Sequence, residues 1–383
     1  MSLVSQLQRV DAQTASAAQT PAAFNAFVHV AYGYDARKWR ENWRAGKVPG
    51  LNEEFPYGYH RAAQYGAHVA YATDHPESKP TKFLRYGLRA ILGFDFLHAW
   101  RNREEIFRSH VVWTHTESQS LAILALFAVS KRARPKLIGQ AVWLIDEWRR
   151  LNPLRKWLFK KLLAKADILS FLSPLNAARA AKLFPNTRIE FLKFGINPDY
   201  PTLPRTKPEG RKIRVLSAGN DRHRDWATLI EAADKATDIE LRILSGTYKP
   251  RGAHANITVL KVDNNRDLFA QFEWADMIML PLKPNFHASG ITVLEEAAIL
   301  GVPAISTKAG GLEAYFPQGD VLYVEPGNAG QIRDTVRKLA ADPELREALV
   351  ANSKRRLTAA GLTSSDYARR HVELTRELLA PGS

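Results

Sequence analysis

The 383-residue chain contains no cysteine. That excludes disulfide bonds, a thiolate nucleophile and a thiolate-ligated zinc site, and it is compatible with a reducing compartment. No uncharged apolar run approaches the ~18 residues of a membrane span. Residues 1–22 have neither the basic start nor the apolar centre of a signal peptide. The expectation is a soluble, cytoplasmic protein with a loose tail over residues 1–23. Several motifs are missing too. No GxGxxG follows the first strand-like stretch, no Walker loop exists, and the 11 histidines form no HExxH or other tight ligand spacing. A dinucleotide oxidoreductase, a P-loop hydrolase and a zinc protease therefore all lack their fingerprints, and neither cofactor nor metal is expected.

Acidic residues are also scarce. Asp and Glu number 39 against 54 Lys and Arg, a net charge of +15. Such a balance points to an anionic partner. Nucleic acid would require a recognisable module or a basic stripe interleaved with stacking aromatics, and neither is found, so nucleic acid is not expected. The charge concentrates between Arg149 and Lys165 (RRLNPLRKWLFKKLLAK). At helical spacing Leu154, Trp157, Leu158 and Leu162 share one face while cations crowd the rest. Two readings stay open: an interfacial helix drawn to anionic lipid at the inner face of the membrane, or an amphipathic helix packed on its own sheet.

What is present is a long alternation of apolar strands and helices, with 45% hydrophobic residues, enough for two cores. Strand-like runs include Ala26–Ala31, Ala67–Tyr71, Val111–Thr114, Lys136–Val142, Ile213–Gly219, Glu240–Gly246 and Ile257–Leu260. This alternation means α/β architecture with doubly wound parallel sheets. The stretch that organises the rest is LPLKPNFHASGITVLEEAAILGVPAISTKAGG, Leu280 to Gly311. It reads strand, loop, helix, strand, loop. Ser289-Gly290-Ile291-Thr292 opens the helix with small residues, so unpaired backbone N–H groups and a positive dipole end face the carboxyl edge of the sheet, a cradle for an anion. One turn on, Glu295 and Glu296 offer acceptors suited to ribose hydroxyls.

This segment resembles the donor-binding motif of GT-B glycosyltransferases, particularly glycosyltransferase family 4. Glu296-Ala297-Ala298-Ile299-Leu300-Gly301-Val302-Pro303 fits the motif's ending, and by resemblance Glu296 holds the donor ribose. The family's second Glu, eight positions upstream and near the donor sugar, is replaced by Ala288, preceded by His287. A second resemblance lies in Ala166-Asp167-Ile168, Ser173 and Phe194-Gly195-Ile196-Asn197, the passage between domains. A third lies in Gly219-Asn220-Asp221-Arg222-His223-Arg224, where the family supplies Arg and Lys to the donor diphosphate; Arg224 takes the Lys-like place, Asn220 the Arg-like place, and Arg222 follows two residues on. Val262 and Asp263 fall where the family's backbone meets the base. No Asp-x-Asp follows a strand, so a cation-holding transferase of the other major sugar-transferase fold is unsupported.

The resemblance implies two Rossmann-like domains facing across a cleft: residues 24–198 on the acceptor side, a linker over 199–211, a nucleotide-sugar domain over 212–362, and a helix over 363–383 returning to the first domain. The implied activity is metal-independent transfer of a hexose from a nucleoside-diphosphate sugar to a glycan or lipid-linked glycan, with retention. Should it invert, a first-domain base is needed; by position His115, Glu117 and Asp146 are the candidates. Gly33, Tyr34 and His60 are the acceptor-side candidates. A nucleotide-sugar epimerase and a non-catalytic sugar-nucleotide or glycan binder remain as alternatives.

Overall fold

The computed structural model describes residues 24–204, 211–234, 236–250, 252 and 254–380. The expected N-terminal tail, residues 205–210 of the expected linker and residues 381–383 lie outside them. Strands β1 (Phe24–His29), β2 (Ala67–Tyr71), β3 (Val111–Thr114), β4 (Lys136–Ala141), β5 (Ile168–Phe171) and β6 (Arg188–Phe191) form one sheet in the order β2-β1-β3-β4-β5-β6. Strands β7 (Ile213–Ala218), β8 (Ile239–Leu244), β9 (Ile257–Leu260), β10 (Met277–Leu280), β11 (Ala304–Thr307) and β12 (Leu322–Val324) form a second in the order β12-β11-β10-β7-β8-β9. The pairings are parallel throughout.

Parallel strands need crossovers, and the crossover helices cover both sheet faces. The central strands are accordingly apolar on both sides: VVWT in β3 and MIML in β10 are buried at every position. Strand order reverses between β1 and β3 in the first sheet and between β7 and β10 in the second. A crevice opens at the carboxyl edge of such a reversal, because the two flanking loops diverge to opposite faces. The loops after β1, β3, β7 and β10 carry most of the residues singled out above.

The final helix, Ser364–Leu379, lies on the first half rather than the second. Tyr367 is buried there, its hydroxyl 2.8 Å from that of Tyr59 and donating to Gln140 Oε1 at 2.6 Å. Trp113 Nε1 donates to Thr375 Oγ1 at 3.1 Å, and Ser364 Oγ donates to Glu53.

The basic stretch is shorter as a helix than its sequence pattern. Helix runs from Pro153 to Leu163, capped by Asn152, after a separate 3-10 turn at Trp148–Arg150. Its apolar residues divide: Phe159, Leu162 and Leu163 are buried, while Leu154 and Trp157 are 72% and 58% exposed. Leu162, five residues and so about 140° round the helix from Trp157, turns inward with Phe159 rather than sharing its exposed face, contrary to the expectation above. Among the described residues no helix is long and apolar enough to cross a membrane.

Candidate active site

Two loops meet at the reversal point of the second sheet. The loop after β7 joins the loop after β10 through Asp225 N to Pro281 O and Lys283 N to His223 O. Arg224, on the first, is only 5% exposed. Its Nε donates to Ala218 O at 3.0 Å and its Nη1 to Ser289 Oγ at 2.8 Å. Among the described residues no carboxylate lies within ion-pair distance of it. Burial pushes the guanidinium down to about 10, against a smaller opposing pull from the Asp221 carboxylate.

Two glycines make room for this side chain. Gly219 has φ +145°, and a Cβ there would lie 2.3 Å from Arg224 Nε. Gly290 has φ +84°, and a Cβ there would meet Leu280 Cδ1 at 2.7 Å and Arg224 Nη1 at 3.0 Å. Gly290 is also the N-cap of the Ile291–Leu300 helix, with no side-chain cap on its first turn. A buried cation and a positive helix end therefore converge on one place. That arrangement is unfavourable when empty and complementary to an anion.

The other donor-side candidates separate. Ser289 holds Arg224; Ile291 is buried and Thr292 is exposed at the helix start. Asn220 Oδ1 accepts from Gly246 N at 2.8 Å and Ser245 Oγ at 3.1 Å, which ties the loop to β8. Arg222 pairs with Glu147 of the first half. Val262 and Asp263 follow the edge strand β9; Asp263 is exposed and pairs with Lys261 at 2.7 Å.

The two helix carboxylates differ because successive residues point about 100° apart. Glu295 is fully buried with neither oxygen hydrogen-bonded among the described residues, and burial, then the neighbouring Glu296, drives its pKa well above the usual range. Glu296 faces the first half, where Oε1 accepts Leu51 N at 3.2 Å. Burial raises its pKa to about 7, against the opposing Leu51 hydrogen bond. Gly50 N donates to Asn265 Oδ1 at 3.0 Å and Asn265 N to Gly46 O at 3.0 Å, so first-half residues 46–52 lie over Glu296.

His287 bridges the halves. Its Nδ1 lies 2.9 Å from Asp146 Oδ2 and its Nε2 3.1 Å from Asp221 Oδ2. Burial opposes the imidazolium, but the two carboxylates outweigh it and the pKa is raised. Asp146 also accepts Phe286 N at 3.0 Å, and Trp143 Nε1 reaches across to Asp221 at 3.1 Å. Ligand atoms of Asp221, His223 and His287 lie within 4.8 Å of one another and could hold a cation. Sequence spacing gave no sign of this group beyond Asp221-x-His223, since His287 is 66 residues from Asp221.

On the first half, a cavity of about 380 Å³ opens beside the loops after β1 and β3, lined by Tyr32, Tyr34, Tyr57, Glu117 and Trp143 among others. Gly33 N donates to Asp74 at 2.9 Å, and Tyr34 stacks on Tyr57 with ring centroids 5.9 Å apart. Tyr57, with φ +60°, lines the cavity although no sequence motif marks it. Glu117 accepts Val142 N at 2.9 Å, and burial raises its pKa. His115 is closed in: its ring stacks on Tyr57 at 3.4 Å, its Nδ1 is 3.3 Å from Tyr59 Oη, and burial lowers it to about 3. His60 lies away from the lining residues, 3.8 Å from Glu53, and burial lowers it to about 4. The geometry brings Tyr34 and Glu117 together and leaves His60 and His115 outside the cavity.

Residues 210–356 match the family model described as glycosyl transferases group 1. A 2-deoxystreptamine N-acetyl-D-glucosaminyltransferase of Niallia circulans is 28% identical over 170 residues, spanning 41% of this chain and 43% of that protein. Sucrose-phosphate synthase from Thermosynechococcus elongatus superposes with a TM-score of 0.71 at 17% identity, covering 92% of this chain and 99% of that one. Anabaena HepE in complex with UDP-glucose gives 0.65 at 12% identity, again over 92% and 99%. Residues 210–356 thus resemble the group 1 glycosyl transferases, in a chain that shares its overall fold with GT-B glycosyltransferases such as sucrose-phosphate synthase.

Proposed function

We propose that the chain transfers a hexose from a nucleoside-diphosphate sugar to a hydroxyl of a glycan or lipid-linked glycan, without a metal and with retention of configuration. The observation that carries this reading is Arg224: a buried guanidinium with no carboxylate partner among the described residues, aimed with an uncapped helix start at one point. A diphosphate placed there gains charge-assisted hydrogen bonds, and the same groups stabilise the charge that grows on the leaving diphosphate. The nucleotide sugar in Anabaena HepE and the activity named for the Niallia relative support the donor class. Glu296 accepts the ribose hydroxyls once the Leu51 N–H withdraws from it. The acceptor occupies the cavity beside Tyr34 and Glu117.

Retention is supported by the state of the candidate bases. Asp146 is committed to His287 and His115 is enclosed. Glu117 is the one that lines the cavity, so an inverted product would make Glu117 the base. Residues 149–165, with Leu154 and Trp157 exposed among cations, support a station at an anionic membrane surface on the cytoplasmic side. The test is a panel of nucleoside-diphosphate sugars, read first as a rise in Tm and then as product anomer by NMR with a glycan acceptor. A changed donor released without acceptor would mean an epimerase, and binding without turnover a binding protein. If no member of the panel raises Tm, the donor assignment is wrong.

A further inference from the structure

The Lys79–Leu92 helix (KPTKFLRYGLRAIL) is built the wrong way out for a helix packed on a sheet. Ser78 caps its start and Gly93, in the left-handed region, ends it. At helical spacing Phe83, Leu84, Gly87 and Ile91 share one face. Phe83 and Ile91 are 76% and 72% exposed, and Leu84 is exposed with them. The buried residue is instead a cation. Arg85, 3% exposed, donates to Glu77 at 2.9 Å and Asp95 at 2.8 Å and lies 4.1 Å over the Tyr32 ring. The polar face thus faces the protein and the apolar face the solvent, the reverse of the usual order.

This face is continuous with another exposed one. Arg155 donates to Ile91 O at 3.2 Å and also to Ala90 O, which joins the end of this helix to the Pro153–Leu163 helix with its exposed Leu154 and Trp157. Neither helix contains an Asp or Glu. Lys79, Lys82 and Arg89 flank the first apolar face, and Lys160 and Lys161 flank the second, all exposed.

We propose that the Lys79–Leu92 helix, with Leu154 and Trp157 beside it, is a docking surface for an anionic phospholipid bilayer, with Phe83, Leu84 and Ile91 entering the headgroup region. Charge selects this occupant. A bilayer bearing anionic headgroups meets both the apolar ridge and its cationic margins. A second copy of this chain on the same face would oppose lysines to lysines across a two-fold contact. The surface goes beyond residues 149–165, because its exposed Phe83, Leu84 and Ile91 lie on a different helix. Arg89 also lines the acceptor-side cavity, so the surface adjoins it.

The test uses the full chain and phosphatidylcholine vesicles with and without phosphatidylglycerol, read by flotation. The parent should bind the phosphatidylglycerol vesicles, and binding should fall steeply with added salt. Phe83→Ser/Ile91→Ser should weaken that binding at least about tenfold while Tm and the nucleotide-induced rise in Tm stay unchanged, since both side chains already stand in solvent. Lys79→Gln/Lys82→Gln/Lys160→Gln/Lys161→Gln should flatten the salt dependence. Failure of the parent to bind at low salt, or equal binding by the Ser double variant, overturns the proposal. A concentration-dependent dimer that the double variant abolishes overturns it in favour of self-association. No donor or acceptor enters the vesicle arm, so failure of the transferase reading would show in the nucleotide arm alone.

Discussion

Arg224→Met separates a ligand-binding role from a structural one, because the two predict opposite outcomes. Met is unbranched and flexible, so it can follow the path of the Arg224 side chain between Gly219 and Gly290. In the parent the guanidinium is lowered from 12.5 to about 10 by burial. Each factor of ten in proton affinity is about 1.4 kcal/mol, so the charged form is disfavoured by about 3 kcal/mol in the empty site. Replacement relieves that cost. Against it, Ala218 O and Ser289 Oγ lose their donor, at ~1–3 kcal/mol for each acceptor left unpaired. Ser289 can turn its hydroxyl elsewhere, so the terms nearly cancel and ligand-free stability should move by no more than about 1 kcal/mol. Nucleotide binding has no such compensation. Loss of a charge-assisted contact of ~1.5–3 kcal/mol should weaken UDP binding about tenfold to a hundredfold in calorimetry. Arg224→Lys should fall between, keeping the charge but losing the fork. Unchanged affinity together with a stability loss of several kcal/mol would refute the reasoning and make Arg224 a structural residue.

Gly219→Ala should act on the same guanidinium from the other side: a Cβ 2.3 Å from Nε must displace it, and φ +145° strains any side chain. We expect ~1–3 kcal/mol of lost stability in denaturant titration, with nucleotide affinity reduced as in Arg224→Met. Glu296 has its pKa raised from 4.5 to about 7 in the folded protein. Its contribution to stability is therefore fully present below about pH 4.5 and is lost as pH rises through about 7. Ribose hydroxyls donate to the anion, so nucleotide affinity should rise over the same interval; Glu296→Gln should flatten both profiles, and an unaltered pH dependence would place the titration elsewhere. On the proposed reading transfer should persist in excess chelator, since Arg224 and the helix start would meet the diphosphate. Abolition restored by magnesium or manganese, and absent in His287→Gln, would assign a cation to Asp221, His223 and His287.

Sequence pattern reached the fold because fully buried parallel strands leave continuous apolar runs, such as Met277–Leu280, that no solvent-facing requirement interrupts. It reached Arg224 and Gly290 because a cation after a strand-terminal glycine and a small-residue helix start are local features. It could not reach His287 as a bridge, whose partners Asp146 and Asp221 are 141 and 66 residues away. Nor could it divide Glu295 from Glu296, since a step of one residue along the helix decides which carboxylate enters the core. Periodicity shows that a helix is amphipathic but not which face meets the protein. The outward face of Phe83 and Ile91 depends on Glu77 and Asp95 capturing Arg85 from beneath, a contact set by tertiary structure. Leu162 is a different case: it lies about 140° round the helix from Trp157, so grouping it with Trp157 misreads the spacing, and the inward turn with Phe159 corrects that reading.

The Ser364–Leu379 helix belongs to the first half in space, although the whole second sheet precedes it in sequence. Tyr59, Trp113 and Gln140 emerge from the ribosome early, yet their partners Tyr367 and Thr375 arrive only after the whole second sheet has been made. During that interval the nascent first half lacks the layer that covers these side chains, while the second half can complete its own sheet. Vectorial folding is therefore expected to run out of order here, with the second half able to mature first while the first half waits for Ser364–Leu379. A stop codon or protease cut just before Ser364 would fall far in sequence from Tyr34 and Glu117, yet the first half, where they lie, would bear the damage.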